Sequence, residues 1–318
     1  MRIVVVGCGS WGTAFAVLLR DRGHEVTIAC RDAEQAAAIA GTARNPRYAQ
    51  TADLSGVEAT TVPSAPVVAA ELVVVAVPSK AFADVVAPLP GGAPLLSLTK
   101  GLHPASGNRL STLVRGRSVA VLSGPNMVDE ILAGLPAAAV IASDDAELVS
   151  ALQAAINSTT FRVYVSDDVV GVELCAAAKN VIALAAGGAD GLRLGDNAKA
   201  ALVSRGLAEM RRLADAAGAK PETFAGLAGM GDLIVTCWSP VGRNRRAGEL
   251  IAQGATPEEA VSRIGQVVEG LTTAPVLRDL AHRLGVEMPI TEGVCAVLEG
   301  TPLTDLVAQL MRREPTTE

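Results

Sequence analysis

The sequence lacks the features that mark disulfide-bonded, zinc-binding and membrane-spanning proteins. Its five cysteines are widely spaced and none lies in a C-x-x-C pair, so we predict neither a disulfide framework nor a metal site. The apolar run at the N-terminus is too short for a signal peptide, and no later run is clean enough for a transmembrane helix. These absences favour a cytoplasmic protein with reduced thiols and no membrane span.

An excess of positive charge is also absent. Lysine and arginine total 27 against 33 aspartate and glutamate residues, a net charge of −6, so we expect no nucleic-acid partner. With 318 residues, of which 50% are hydrophobic, the chain is long enough for two domains. The composition is that of a globular protein of ordinary acidity.

The two halves of the chain differ in hydrophobic pattern. In the first half, short apolar runs are continuous rather than alternating, as in parallel strands that are covered on both faces. The predicted strands are residues 2–6, 25–30, 72–77, 94–98, 118–122, 137–143 and 161–166. Beyond Asp167 strong strands are absent and long helical patterns follow. The predicted helices are residues 169–187, 197–217, 246–253, 257–263, 271–284, 290–299 and 303–312.

This pattern predicts an α/β protein with a doubly wound parallel sheet in residues 1–166 and an all-α domain in residues 167–318. The boundary has no flexible Gly/Ser-rich linker, so we expect the two domains to pack closely. A cleft between packed domains is a usual place for a small-molecule site.

Three glycines follow the first predicted strand. Gly7, Gly9 and Gly12 form a G-x-G-x-x-G pattern before a helix that is predicted to run to about Arg22. The first glycine allows a tight turn, the second lets a pyrophosphate approach the backbone, and the third lets helix and strand pack closely. The setting of the pattern, between a strand and a helix, predicts a dinucleotide-binding domain of the Rossmann type.

The choice of cofactor depends on the end of the second strand, where Arg31 and Asp32 follow Cys30. An arginine at this place accepts the 2′-phosphate of NADP, whereas an acidic residue binds the ribose 2′-hydroxyl of NAD. Arg31 favours NADP and Asp32 leaves NAD as the alternative, unless both are solvated loop charges. We expect NADP, as NADPH, to be preferred.

Lys179 lies within the apolar stretch ELCAAAKNVIALAAG, residues 173–187. Apolar side chains occupy nearly every face of this predicted helix, which indicates a helix that is buried all round. An unpaired ammonium group there is costly. Lys179 therefore either extends to water or has a function.

Three further stretches are hard to explain as structure alone. SLTKGL places Lys100 just after a strand, at the sheet edge where ligands bind. GLAGMGDLIVTC is glycine-rich around Asp232, which predicts a sharply turning backbone that carries a carboxylate. GRNRRAG, residues 242–248, places Arg243, Asn244, Arg245 and Arg246 at a predicted helix start. Guanidinium, amide and free N–H groups can hold a phosphate there, unless the stretch is only a solvated basic helix end.

Together with the glycine turn, these stretches resemble the bacterial-type NAD(P)-dependent glycerol-3-phosphate dehydrogenases. The resemblance covers nearly the whole chain. It rests on the ordered segments GCGSWGTAFA, NPRY, VPS, SLTKGL, LSGPN, AAAKN, GLAGMGDLIVTC, GRNRRAG and VVEGLTTA. It implies reversible hydride transfer between NAD(P)H and dihydroxyacetone phosphate, giving sn-glycerol 3-phosphate for phospholipid synthesis.

The resemblance also implies roles for individual residues. Lys179 aligns with the family's general acid/base, and we expect Asp232 and Asn180 to orient the lysine and the substrate hydroxyl. The implied cofactor-binding residues are Gly7, Gly9, Ser10, Trp11, Gly12, Arg31, Tyr48, Lys100, Val128, Arg243, Val267 and Glu269. The implied substrate-binding residues are Lys100, Gly124, Asn126, Lys179, Asp232, Gly242, Arg243 and Asn244.

Three positions depart from the family pattern. Many members have serine or threonine where Asn126 stands and serine where Gly242 stands. A hydroxyl contact is thus replaced by an amide in one case and removed in the other. Val128 stands where a small alanine is common. These departures affect single contacts rather than the predicted activity.

The sequence offers no convincing catalytic histidine. Reduction of a ketone by hydride leaves an alkoxide that must gain a proton, and a positioned acid typically contributes about 10²–10⁴-fold in rate. His24, His103 and His282 have no flanking carboxylate pattern that suggests a relay, which leaves lysine as the better acid. Burial can lower a lysine pKa by roughly 3–5 units, whereas a phosphate dianion and Asp232 would raise it again.

Two other functions fit part of the pattern. A two-domain NADPH reductase acting on ketopantoate or a 3-hydroxy acid also combines a nucleotide domain with a lysine-bearing helical domain. A substrate without a phosphate has little use for the GRNRRAG stretch, however. A non-catalytic NADP-binding redox sensor would be free to lose Lys179, Asn180 and Asp232, which are intact. We expect a small-molecule substrate and, since helical second domains often pair, a homodimer.

Overall fold

A computed structural model describes residues 1–311, with side chains to residue 307, and shows an eight-stranded sheet followed by a bundle of helices. The strands lie in the order β3-β2-β1-β4-β5-β6-β7-β8. They are β1 (Arg2–Val6), β2 (Glu25–Cys30), β3 (Val57–Thr61), β4 (Leu72–Val75), β5 (Leu95–Ser97), β6 (Val119–Ser123), β7 (Ala137–Ala142) and β8 (Phe161–Ser166).

The predicted doubly wound α/β fold is confirmed, with two differences in the sheet. Strand β3 was not predicted, because Glu58 and two threonines interrupt its apolar pattern at a partly exposed sheet edge. The sheet is also not wholly parallel: β7 runs antiparallel to β6, and β8 follows the direction of β7. Continuous apolar runs indicate burial on both faces of the sheet but not the direction of a strand. The sequence pattern therefore could not distinguish a parallel neighbour from an antiparallel one.

Helices cover the sheet on both faces, with a separate apolar core on each. Helix α1 begins directly after the glycine turn, and a Cβ atom on Gly12 would lie 1.9 Å from the carbonyl oxygen of Gly7. Only glycine therefore allows α1 to approach β1 this closely. The helices are α1 (Ser10–Asp21), α2 (Ala33–Thr42), α3 (Ser79–Val86), α4 (Val128–Leu132) and α5 (Ala146–Ile156), with short 3₁₀ helices at Val62–Ser64, Val67–Ala69 and Leu110–Leu113.

The helical region surrounds one buried helix, α6, as the apolar pattern predicted. The helices are α6 (Val169–Gly191), α7 (Gly195–Ala216), α8 (Pro221–Ala225), α9 (Asp232–Trp238), α10 (Arg243–Ala252), α11 (Pro257–Ile264), α12 (Glu269–Leu284), α13 (Pro289–Leu298) and α14 (Leu303–Met311). The last residue of the helix predicted at 303–312 lies outside the described residues. Strand β8 ends two residues before Asp168, which caps α6 by accepting from the Gly171 amide at 2.8 Å. The division of the chain at residue 166 stays a prediction.

Helix α6 is also long and apolar enough to cross a membrane, with a mean hydropathy of 1.7 over its most apolar window. Of that window, 89% is buried inside the protein. The apolar surface is therefore explained by packing against the other helices. Helix α10 packs so closely on α6 that a Cβ atom on Gly248 would lie 1.9 Å from the Leu184 carbonyl oxygen.

The segment around Asp232 differs from the prediction. Its glycines predicted a sharply turning loop, but Leu227–Gly231 forms one turn of π-helix that continues directly into α9. Asp232 is thus held by helical backbone rather than by a loop, one π-helical turn after the helical segment begins.

Candidate active site

The candidate site lies where the helical region meets one edge of the sheet. Strands β1, β4, β5 and β6 are parallel neighbours, so their carboxyl ends lie side by side. Ser79 follows β4, Lys100 follows β5 and Gly124 follows β6. The Lys100 ammonium lies 2.7 Å from Asp232 of α9, and the Ser79 hydroxyl donates to Glu269 of α12 at 2.6 Å. The carboxyl edge of an open α/β sheet is where such folds bind ligands.

Lys179 is at the centre of this junction and does not extend to water. Its side chain is only 6% exposed, and its Nζ donates to Asp232 Oδ1 at 2.5 Å and to Thr236 Oγ1 at 2.8 Å. Burial lowers the pKa of Lys179 to about 7, although the Asp232 carboxylate opposes this shift and the nearby Lys100 adds to it. Lys179 can therefore both give and accept a proton near neutral pH.

Asp232 is shared by two lysines. Its Oδ2 accepts from Lys100 Nζ at 2.7 Å, and the same ammonium also donates to the Gly124 carbonyl at 3.0 Å. Burial raises the pKa of Asp232, but the two ammonium groups outweigh this effect and hold the pKa below its usual range. The carboxylate is thus ionised, and it fixes both cations at one place.

Asn180 and Asn244 form a second layer that joins three helices. Asn244 Nδ2 donates to Asn180 Oδ1 at 2.9 Å, and Asn244 Oδ1 accepts from the Gly270 amide at 2.9 Å. Asn180 Nδ2 donates back to the Ala176 carbonyl at 3.3 Å. These bonds hold α6, α10 and α12 together, whereas the hydrogen bonds that orient Lys179 come from Asp232 and Thr236.

The start of α10 has the chemistry of an anion site. Gly242 is its N-cap, and the amides of the first helical turn have no intrahelical acceptor. Arg243 is exposed and donates to the Val267 carbonyl at 3.0 Å. Arg245, in contrast, turns away and pairs with Asp190 of α6 at 2.5 Å. In the predicted basic stretch, Arg243 therefore lies at the candidate site, whereas Arg245 has a structural role.

The glycine turn fits a dinucleotide. Among the described residues, no atom lies within 4 Å of where a Cβ on Gly9 would be, and Gly9 is the N-cap of α1 beside Ser10. Free first-turn amides and the helix dipole favour phosphate at such a terminus. The Trp11 Nε1 atom, one residue after Ser10, is buried without a hydrogen-bond partner in the described structure, and a buried donor without an acceptor is costly.

The NPRY loop is fastened to the same turn. Asn45 is 1% exposed and donates through Nδ2 to the Cys8 carbonyl at 2.9 Å and to Thr13 Oγ1 at 2.8 Å. Its Oδ1 accepts from the Tyr48 amide at 3.2 Å. Tyr48 consequently lies beside the nucleotide turn. The exposed Arg31 also lies near this turn, because β2 pairs with β1 and the Gly7 amide donates to the Ala29 carbonyl at 2.9 Å.

Asn126 and Val128 lie after β6. Asn126 Nδ2 donates to the Ala138 carbonyl at 3.1 Å, while its Oδ1 is buried without a partner in the described structure. A buried acceptor without a donor is costly, so this oxygen is suited to a substrate hydroxyl. Val128 is the first residue of α4.

Comparison with known proteins identifies the family. Sequence profiles described as NAD-dependent glycerol-3-phosphate dehydrogenase match residues 2–149 with the N-terminal part and residues 168–308 with the C-terminal part. The chain belongs to the NAD-dependent glycerol-3-phosphate dehydrogenase family. The NAD(P)+-dependent enzymes of Azotobacter vinelandii and Moorella thermoacetica are each 46% identical to it. They match 99% of this chain and 96% and 97% of their own lengths.

A solved structure of the same family agrees with the fold. The glycerol-3-phosphate dehydrogenase of Coxiella burnetii superposes with a TM-score of 0.95 at 36% identity, covering 98% of this chain and 99% of its own. Family membership confirms that the protein is an NAD(P)-dependent oxidoreductase. Within residues 1–311, the structure holds no group of three or more His, Cys, Asp or Glu residues that could bind a metal ion.

Three residues of the site have no signal in the sequence of this family member that marks their roles. Thr236 follows Asp232 by four positions, one helical turn, and this spacing is informative only once the segment is known to be helical. Ser79 belongs to the short VPS segment, and its partner Glu269 is 190 positions away. Asn45 in NPRY carries a single short amide that no local pattern marks as buried.

Proposed function

We propose that the protein reduces dihydroxyacetone phosphate to sn-glycerol 3-phosphate, and oxidises it in reverse, with Lys179 as the general acid/base. The observation that carries this proposal is the buried cluster of Lys179, Asp232 and Lys100 at the junction of sheet edge and helices. The family membership supports the substrate.

Proton transfer is the role of Lys179 in this proposal. NAD(P)H, when bound at the glycine turn, supplies the hydride. The Lys179 ammonium then gives its proton to the developing substrate alkoxide, and the neutral amine accepts one in the reverse direction. A pKa of about 7 keeps both forms populated at neutral pH. Asp232 and Thr236 hold Nζ in one position.

The remaining residues bind and orient the substrate. Arg243 and the N-terminus of α10 provide guanidinium and amide donors for the phosphate, and Asn244 has one further N–H for it. Lys100 stabilises negative charge on the reacting oxygen. Asn126 Oδ1 accepts from a substrate hydroxyl.

We further propose NADP as the preferred cofactor, with NAD as the alternative, and a cytoplasmic role in supplying the phospholipid precursor. All five cysteines are free and buried, as a reducing compartment allows. The homodimer stays a prediction.

The reductase acting on ketopantoate or a 3-hydroxy acid is the weaker candidate. Its substrate would leave Arg243 and the α10 terminus without a phosphate. The redox sensor would have no use for a lysine with a lowered pKa beside a buried carboxylate.

The test is an assay of NADPH oxidation with dihydroxyacetone phosphate. We expect Lys179→Ala to lower kcat by at least about 10²-fold, because the proton donor is lost, while the Kd for NADPH stays unchanged. Lys220→Ala is the control, because this exposed lysine pairs with Asp167 at 2.7 Å, and no residue of the candidate site contacts its ammonium group within the part of the chain that the structure describes. Wild-type turnover by Lys179→Ala would refute the role of the lysine, and faster turnover of ketopantoate than of dihydroxyacetone phosphate would refute the substrate.

A further inference from the structure

Asp32, the acidic residue at the end of β2, is already engaged. Its Oδ1 caps α2 by accepting from the amides of Glu34 at 2.9 Å and Gln35 at 3.4 Å. Its Oδ2 lies 2.7 Å from Arg47 Nη1. Both carboxylate oxygens therefore have partners within the chain, and the acid that would bind the ribose 2′-hydroxyl of NAD is occupied.

Arg47 reaches this place because its backbone is anchored to the nucleotide turn. The Arg47 amide donates to Asn45 Oδ1 at 3.0 Å, and Asn45 Nδ2 in turn donates to the Cys8 carbonyl at 2.9 Å. The Arg47 side chain is 50% exposed. One bond to Asp32 uses only one of the five N–H donors of a guanidinium group. Arg47 is therefore held against the residue that directly follows the exposed Arg31, with donors left for a ligand.

We propose that Arg47 is a second arginine for the 2′-phosphate of NADP, acting beside Arg31, and that the preference for NADPH over NADH depends on it. The inference rests on the proposed function, since it concerns the cofactor of that site. Arg47 has two effects in this arrangement. It neutralises Asp32, which would otherwise repel a phosphate dianion, and it donates charge-assisted hydrogen bonds to the phosphate.

Binding of NADPH and NADH to Arg47→Ala tests the proposal without relying on turnover. Titration by calorimetry gives each Kd. We expect the Kd for NADPH to rise about 10- to 100-fold, the range for loss of a hydrogen bond to a charged group. The Kd for NADH should stay unchanged, because NADH has no 2′-phosphate.

A second variant separates the two effects of Arg47. Asp32→Asn keeps the helix cap, since asparagine caps as well as aspartate, and removes the negative charge. In the double variant Arg47→Ala with Asp32→Asn, repulsion is gone but the phosphate still lacks its donor. We therefore expect NADPH binding to remain weak in the double variant. Full recovery would mean that Arg47 acts only by neutralising Asp32, and would overturn its assignment as a phosphate ligand.

Arg44→Ala is the matched control. Arg44 belongs to the same loop, but its Nη1 donates to the Thr51 carbonyl at 3.2 Å, so both Kd values should remain those of the wild type. An equal rise of both Kd values in Arg47→Ala would assign Arg47 to loop structure, and no change would also overturn the proposal. A wild type that binds NADPH tightly but does not reduce dihydroxyacetone phosphate would refute the proposed function and leave this inference standing.

Discussion

At the scale of single residues, the distinctive feature is that Lys179 and Lys100 share the carboxylate of Asp232. Burial lowers the pKa of Lys179 to about 7. Reduction needs the protonated lysine, so kcat/KM for dihydroxyacetone phosphate should fall as the pH rises through about 7. Oxidation needs the neutral amine, so its kcat/KM should fall as the pH drops through the same range. Initial rates in both directions across the neutral range measure these two limbs.

Variants of Lys100 and Asp232 should shift the pH at which kcat/KM falls, and the two shifts should have opposite directions. Lys100→Met removes a neighbouring positive charge, which raises the pKa of Lys179 and moves both limbs to higher pH. Asp232→Asn removes the charge that stabilises the ammonium, which lowers the pKa of Lys179 and moves both limbs to lower pH. Both variants should also have a lower kcat than the wild type. Shifts in the same direction, or no shift, would show that another group titrates in the profile.

The residue scale is also where the sequence was most informative about chemistry. A lysine in an otherwise apolar helix predicts either a side chain that extends to water or a functional group, and the structure excludes the first by placing Lys179 at 6% side-chain exposure against a carboxylate. Asn45 and Thr236 could not be found in this way. Their roles depend on which backbone groups meet them, and a buried amide or a helical hydroxyl leaves no hydrophobic or charge pattern in the sequence.

At the scale of secondary-structure elements, the contact between α6 and α10 positions the site. Helix α10 carries Arg243 at its start, and Gly248 allows its backbone to touch the Leu184 carbonyl. A methyl group in this contact would force the helices apart. We expect Gly248→Ala to destabilise the protein by roughly 1–3 kcal/mol and to raise the KM for dihydroxyacetone phosphate, as measured by thermal unfolding and by initial rates.

Gly41→Ala is the matched control for this prediction. Gly41 also lies in a helix, α2, and none of the described atoms lies within 4 Å of where its Cβ would be. Alanine there should be neutral or stabilising by up to about 1 kcal/mol. Equal stability of the two variants would show that the close contact at Gly248 is not required.

Elements were predictable where the hydrophobic pattern is strong. Strands β1 and β2 and helix α6 have the predicted starting residues, because their apolar runs are continuous. Helix α9 was not predicted, because glycines before Asp232 weigh against helix in any propensity argument. Close packing within the π-helical turn requires glycine there instead: a Cβ atom on Gly229 would lie 2.3 Å from the Phe224 carbonyl oxygen.

At the scale of the whole molecule, the site exists only where the sheet and the helical region meet. Lys100 and Asp232 are 132 positions apart, and Ser79 and Glu269 are 190 apart. The sequence predicted most of these residues as members of a site, through a family resemblance. It could not predict which of them bond to each other, because that depends on how two regions with separate cores are docked.

A buried carboxylate on α6 contributes to that docking. Glu173 is 6% exposed and accepts from the Ser111 amide at 2.8 Å, from the Ser111 hydroxyl at 2.5 Å and from Arg109 at 3.0 Å. Both partners belong to the segment after β5, on the sheet side of the molecule. Burial raises the pKa of Glu173, and the bonds from Ser111 and Arg109 oppose this shift. Glu173 thus fastens the helix that carries Lys179 to the segment that follows Lys100.

We expect Glu173→Ala to leave the Ser111 amide without its acceptor, at a cost on the order of 2–3 kcal/mol. For a chain of this size the Tm should fall by about 3–5 °C. The KM for dihydroxyacetone phosphate should rise, because its site uses Lys100 from one side and Asp232 from the other. The Kd for NADPH should change less, because the glycine turn lies on the sheet side alone. Calorimetry, initial rates and NADPH titration measure the three effects.

Glu287→Ala removes an exposed carboxylate from the loop between α12 and α13 and is the control, for which Tm and KM should equal those of the wild type. Glu173→Gln retains an acceptor for the Ser111 amide, so its Tm and KM should lie between those of Glu173→Ala and Glu287→Ala. The Tm of Glu173→Gln distinguishes the two causes, since loss of charge alone lowers the Tm of the Gln and Ala variants equally, whereas loss of the acceptor lowers only that of the Ala variant. A Tm of Glu173→Ala equal to that of Glu287→Ala would show that the regions are held together elsewhere, by apolar contacts such as that of Leu102 with the core around α6.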